Sequence, residues 1–326
     1  ALDGTGAKLK LCRDTLQDPA RKTYFRQMAA MNFLNETLGQ DALQDLLPYL
    51  GHDYWRLREL SQKLAVALVP AGGEATLTAL FAKTKDAKTA AGVLEVLATA
   101  KSAAGLKLAK QAMSHEQPLV RQAAVKAAFD IGGDKMLPDV LAHLQQAKTQ
   151  EDLRGCEQAI LSRRDDPAHV GKTSKAIIAM LPKGSDIVRP SLYYILGQFA
   201  DPASMAALKK IGASDDMKEL EKFIFALSYS PTREADKLLL EIATSGPTRA
   251  KLVGAQSVRR MVVGPQGYGD ITSSEALDFA DAMVRLDLDE RLITYIGHIH
   301  EARALKTLMY CLRKGVSTAA ESLISS

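Results

Sequence analysis

His115 to Leu144 reads HEQPLVRQAAVKAAFDIGGDKMLPDVLAHL, and this stretch decides the fold. Pro118 suits the first turn of a helix, where its missing N–H has no bond to lose. Apolar residues then recur at helical spacing through Ile131, until Gly132-Gly133 ends the run. Asp134 is placed to cap a second helix, whose Met136, Leu137, Val140, Leu141 and Leu144 form an apolar stripe. The unit is a helical hairpin with an apolar face that has to be covered by something else.

The same unit recurs along the chain. With Arg121 as anchor, equivalent positions fall at Arg26, Arg58, Ala90, Arg154, Arg189, Glu221, Lys251 and Arg291, at spacings of 30 to 35 residues except for a final 40. Seven of these nine anchors are basic. Seven residues after each comes Phe33, Ala65, Leu97, Ala128, Leu161, Leu196, Ser228, Val258 or His298, mostly apolar, as a core-facing position two helical turns on requires. Turn signals separate the anchored helices at the expected phase: Gly72-Gly73, Gly132-Gly133, Asp166-Pro167, Asp201-Pro202 and Ser230-Pro231. Such hairpins bury their apolar faces by stacking on their neighbours, so the period predicts a solenoid.

The stretch from Pro118 to Leu144 resembles a HEAT repeat, with Val120-Arg121 inside a helix, Gly132-Gly133-Asp134 at the turn and Leu137-Pro138 early in the next helix. Asp186-Ile187-Val188-Arg189 through Gly197, followed by Asp201-Pro202 and Met205 to Leu208, repeats the pattern. The resemblance is strongest from about Asp53 to Thr244, and its period is shorter than the roughly 40 to 47 residues usual for the family, which fits compact bacterial units. Neither the Thr-Pro-Leu-His turn of ankyrin units nor the Trp, Gly and Tyr pattern of tetratricopeptide units is present. The resemblance implies an all-α fold, a right-handed α-solenoid superhelix of about eight or nine HEAT-like hairpins. It would form one repeat domain over residues 1–326, with an N-terminal segment at 1–17 and an inter-repeat loop at 264–272.

Composition agrees. Aromatic residues are only 6% while Ala and Leu abound, which favours helices over sheet. Forty-two Lys and Arg against 38 Asp and Glu leave a net charge of +4 with the signs mixed, which is no nucleic-acid signature. The apolar run Leu64 to Ala71 is bounded by Lys63 and Gly72, too short to span a bilayer, so no membrane span and a soluble chain are expected. Cys12, Cys156 and Cys311 match no metal spacing. A first residue other than Met leaves the compartment open: exported to a periplasm if it reflects signal removal, otherwise cytoplasmic.

Motifs that could carry chemistry resolve into structure. His298 and His300 stand two apart, about 200° around a helix, and cannot chelate one ion together. HEAT-like hydroxylases that hold two irons use recurring His-Glu pairs, whereas here His115-Glu116 and His300-Glu301 lie five repeats apart without the others. Gly171-Lys172-Thr173 lacks the earlier glycine of a phosphate loop, and Gly264 to Gly269 fits no dinucleotide fingerprint. Asn35-Glu36-Thr37 is a sequon inside a helix, and no serine sits in a nucleophile elbow. No enzyme activity, cofactor or metal is expected.

Two readings stand for the anchors Arg58, Arg121, Arg154 and Arg189. They bond carbonyls and acids of adjacent repeats, or they line a concave face and recruit an acidic ligand. Candidate partner-binding residues are Arg189 with Tyr193 and Tyr194, Tyr268 in the loop where the period stretches, and Tyr54-Trp55 before Arg56 and Arg58. The expected function is a non-enzymatic scaffold binding a protein or peptide. The alternatives are a nucleic-acid-binding solenoid, motivated by Arg163-Arg164 and Arg259-Arg260, and an accessory module of a larger enzyme.

Overall fold

Each periodic apolar run folds as a helix, and the chain reverses where the turn residues fall. The computed structural model describes residues 4–18, 23–230, 232–262, 273–286, 293, 294, 296 and 302–319. Among the described residues every regular element is helical. Two compact units divide the chain, residues 1–162 and 163–326.

In the first unit, α1 (Thr5–Gln17) precedes α2 (Tyr24–Leu38) and a short α3 (Leu43–Leu46) set between 3₁₀ turns. Four further hairpin helices follow as α4 (Trp55–Leu68), α5 (Glu74–Lys83), α6 (Ala87–Thr99) and α7 (Ala103–Ala112). The unit ends with α8 (Pro118–Gly132), α9 (Leu137–Gln145) and α10 (Gln150–Leu161). The even-numbered helices α2, α4, α6, α8 and α10 stack in sequence as one layer, and α5 and α7 pack together as part of the other. Between the layers Met31, Leu34, Leu46, Leu57, Leu77 and Leu97 are fully buried. Burying each such side chain contributes roughly 1.5 to 3 kcal/mol relative to leaving it in water.

The second unit holds α11 (Pro167–Met180), α12 (Arg189–Phe199), α13 (Pro202–Gly212), α14 (Met217–Leu227), α15 (Arg233–Thr244), α16 (Pro247–Val262), α17 (Ser273–Leu286) and α18 (Ala302–Arg313). Here α12, α14 and α16 stack as one layer and α11, α13, α15 and α17 as the other. Leu192, Leu196, Leu208, Phe223, Leu227 and Leu239 fill the space between.

The turn chemistry is local and legible. Ser102, Thr149, Asp166 and Asp216 cap α7, α10, α11 and α14 by accepting from backbone N–H groups of the first turn. Gly72 at φ +109° and Gly133 at φ +59° take conformations that a Cβ would oppose. Two expectations need correction. Asp134 does not cap α9; it lies in the first turn of a 3₁₀ segment, Gly133–Met136, that leads into α9, where its carboxylate still meets the positive end of a helix. At the seventh position after the anchor, Ala65, Leu97, Ala128, Leu196 and even Ser228 are buried, but Phe33 and Leu161 are half-buried. Their neighbours Leu34 and Ile160 are buried instead, so the frame is one residue early at Phe33 and one residue late at Leu161. Val258 and His298 lie outside the residues whose side chains are described.

Residues 55–83 are long enough, and contain an 18-residue window with a mean hydropathy of 1.6, to resemble a membrane-spanning helix. The run is broken at Gly72 into α4 of 14 residues and α5 of 10. At 1.5 Å per residue these cover about 21 and 15 Å, short of the ~30 Å hydrocarbon layer.

Candidate functional site

Helices α2 and α4 open side by side in the first unit, and each opens on aromatic residues. The connection before α4 is pinned from several directions. His52 Nδ1 accepts from the Tyr54 N–H at 3.0 Å, Arg58 donates to the His52 carbonyl at 2.8 Å, and Gln62 donates to the Leu50 carbonyl at 3.0 Å. The Tyr49 hydroxyl, from the same connection, donates to the Leu16 carbonyl. With the backbone so held, the ring of Tyr54 lies flat on that of Tyr24, centroids 3.7 Å apart and 16° from parallel.

Beside this stacked pair the surface is apolar and wet. Phe25 is 80% exposed, Trp55 54% and Tyr24 37%. The Arg56 guanidinium lies 5.1 Å from the centre of the Trp55 ring. A rigid aromatic surface with an arginine beside it combines the residue types that dominate binding hot spots, Trp, Tyr and Arg. Tyr54 is thus brought onto a residue that the repeat pattern did not single out, Tyr24, and the chain neighbours of the pair, Phe25 and Trp55, are the exposed ones. The available signal was an aromatic pair at the start of each of two successive anchored helices.

The second cluster of candidates is closed rather than open. Tyr193 is 3% exposed, its ring meets Phe223 edge-on at 5.5 Å, and its hydroxyl donates to Glu219. Arg189 Nη1 pairs with the other oxygen of Glu219 at 3.0 Å and also holds Asp186, which Lys222 approaches at 3.4 Å. Burial, and then the neighbouring Glu219 carboxylate, push the Tyr193 phenol up from its ordinary value. The expectation that Tyr193 presents a surface to a partner is therefore corrected: its polar end is committed to the helix of the next repeat. Tyr194, one residue on and about 100° around the helix, is the half-buried one. Tyr193→Phe is expected to destabilise the chain by about 1 to 2 kcal/mol, since Glu219 loses a buried donor, and chemical denaturation measures it. Tyr268 and the loop at 264–272 lie outside the described residues.

The other anchor arginines behave unequally. Arg121 grips Asp152 of the next repeat with two bonds, of 2.7 and 3.0 Å, and donates to the carbonyls of His115 and Glu116. Burial opposes charge on Asp152, but Arg121 and Thr149 outweigh it and bring that carboxyl down to about 2. His143 stands 3.5 Å from the same carboxylate, its pKa lowered by burial. Arg58 bonds a carbonyl before its own helix, and Arg154 is exposed. Arg163 pairs with Asp166 at 2.7 Å, while the side chains of Arg259 and Arg260 lie outside the described set.

Among the described residues no three of His, Cys, Asp and Glu come together as a metal site would need. His115 accepts from the Gln117 N–H and packs against Phe81, and burial raises the thiols of Cys12, Cys156 and Cys311 above their ordinary range. His298, His300 and Glu301 are outside the described residues.

Residues 74–161, which are α5 to α10, match the family of HEAT repeats. This part of the chain carries HEAT repeats. Human deoxyhypusine hydroxylase in complex with glycerol is a solved structure similar to this chain at 15% identity, with a TM-score of 0.30 over 90% of this chain and 97% of that one. No curated protein matches the chain in sequence.

Proposed function

We propose that this chain is a non-enzymatic scaffold that binds a protein or peptide partner through the aromatic surface of Tyr24, Phe25 and Trp55. The observation that carries the reading is Phe25, a large apolar side chain 80% exposed at the start of α2, whose neighbour Tyr24 stacks on Tyr54. Covering Phe25 and Trp55 would remove apolar area worth roughly 1.5 to 3 kcal/mol per residue, a reward that folding of this unit leaves uncollected. Neighbouring arginines favour a partner segment with acidic residues near its apolar anchors. Tied arginine pairs and raised thiols give no support to an active site among the described residues.

The test is a Phe25→Ala, Trp55→Ala double variant. Both side chains are exposed, so its stability should stay within about 0.5 kcal/mol of the natural chain. The partner captured by the natural chain is identified by mass spectrometry and titrated against both forms. Affinity is expected to fall about tenfold or more in the variant. Equal affinity would remove this surface from the function.

A further inference from the structure

A second surface on the first hairpin is built differently from the aromatic one. A groove of about 450 Å³ runs between α1 and α2, with Leu11, Cys12, Ala29, Ala30 and Phe33 as its apolar walls. Leu11 is 43% exposed, although it lies within the groove. The two charged residues that line the groove are both cations, Lys8 on α1 and Arg26 on α2. Both are exposed, and among the described residues neither has a side-chain partner.

The groove is preformed rather than a gap between loose helices. The C-terminal end of α1 is fastened: Arg13 pairs with Asp45 at 3.1 Å, and both Tyr49 and Gln27 donate to the Leu16 carbonyl. The walls are open to solvent along the helices. A small molecule lying there would leave much of itself in water, whereas an amphipathic helix buries one face and keeps the other wet.

We propose that the groove between α1 and α2 binds an amphipathic helix whose apolar stripe is flanked by acidic residues. The leucine-like stripe meets Leu11, Ala29 and Phe33, and the carboxylates meet Lys8 and Arg26 on either rim. This site is separate from the Tyr24, Phe25 and Trp55 surface and does not depend on it.

Cys12 supplies the readout, because it lines the groove and is half-buried while Cys156 and Cys311 are buried. The probe is a synthetic helical peptide of about 14 residues, with leucines at i, i+3, i+4 and i+7 and glutamates beside them. Its binding is followed by fluorescence and by the rate at which iodoacetamide alkylates Cys12 in the full chain. The probe is expected to slow alkylation about tenfold at saturation, and Lys8→Glu, Arg26→Glu is expected to weaken binding about tenfold. A probe with lysines in place of the glutamates should bind this double variant better than it binds the natural chain. Trp55→Ala should leave all of this unchanged, which separates the groove from the aromatic surface. Binding indifferent to the sign of the probe's charge, or no protection of Cys12, would overturn the proposal. So would a long-chain fatty acid that protects Cys12 where the peptide does not.

Discussion

Arg121→Met is expected to cost about 3 to 5 kcal/mol of folding stability, the largest effect of any single substitution considered, because it strands a buried carboxylate. The Asp152 side chain is 5% exposed and that of Arg121 is 17% exposed. Removing the guanidinium leaves the Asp152 carboxylate with the Thr149 hydroxyl and, at 3.5 Å, His143, whose burial disfavours its charged form. Replacing both partners, as in Arg121→Met with Asp152→Leu, should recover most of the loss, since the attraction in the pair mainly repays the desolvation of its own two charges. Urea denaturation of the two variants at neutral pH distinguishes them. If the single and double variants are equally unstable, the loss lies in packing and not in the stranded charge.

The same pair sets a pH dependence. A carboxyl held at about 2 in the folded chain, against an ordinary value of 3.8, contributes stability that is fully present above the ordinary value. That contribution, about 2 kcal/mol, disappears as pH falls from 3.8 toward 2. In the double variant this part of the acid sensitivity should be gone.

Gly92→Ala is expected to destabilise by about 3 kcal/mol although it adds a single methyl group in a helix, where alanine is ordinarily the better residue. Its Cβ would stand 2.7 Å from the carbonyl carbon of Leu50 and nearer still to the carbonyl oxygen. Gly51 meets the backbone of Lys88 and Thr89 in the same way, so α6 and the 50–51 connection touch main chain to main chain. Backbone cannot swing aside as a flexible side chain can, so the repeats must separate. Gly171→Ala is the control: within α11 a Cβ meets nothing within 4 Å, and the substitution should stabilise by about 0.5 to 1 kcal/mol. Thermal unfolding of the two variants should move in opposite directions.

Some of this was written along the chain and some was not. Helices, their order and their period followed from the sequence alone, because helical spacing, Gly72 and Gly133 at turns, and caps such as Thr149 and Asp166 act within a few residues. The HEAT repeats at residues 74–161 follow those local rules. What an anchor arginine reaches is not local. Arg121 and Arg189 find acids one repeat ahead while Arg154 stays exposed, although all three hold the same place in the pattern. Consecutive residues on a helix differ by about 100° in direction, so whether Tyr193 or Tyr194 turns inward depends on how α12 is rotated against α14. That rotation is set by packing, and so are the exposure of Phe25 and the groove beside Arg26. The sequence by itself determined which segments are helices and how often they recur; tertiary structure alone decided which faces they leave uncovered, because stacking angles arise from side chains that lie a full repeat apart.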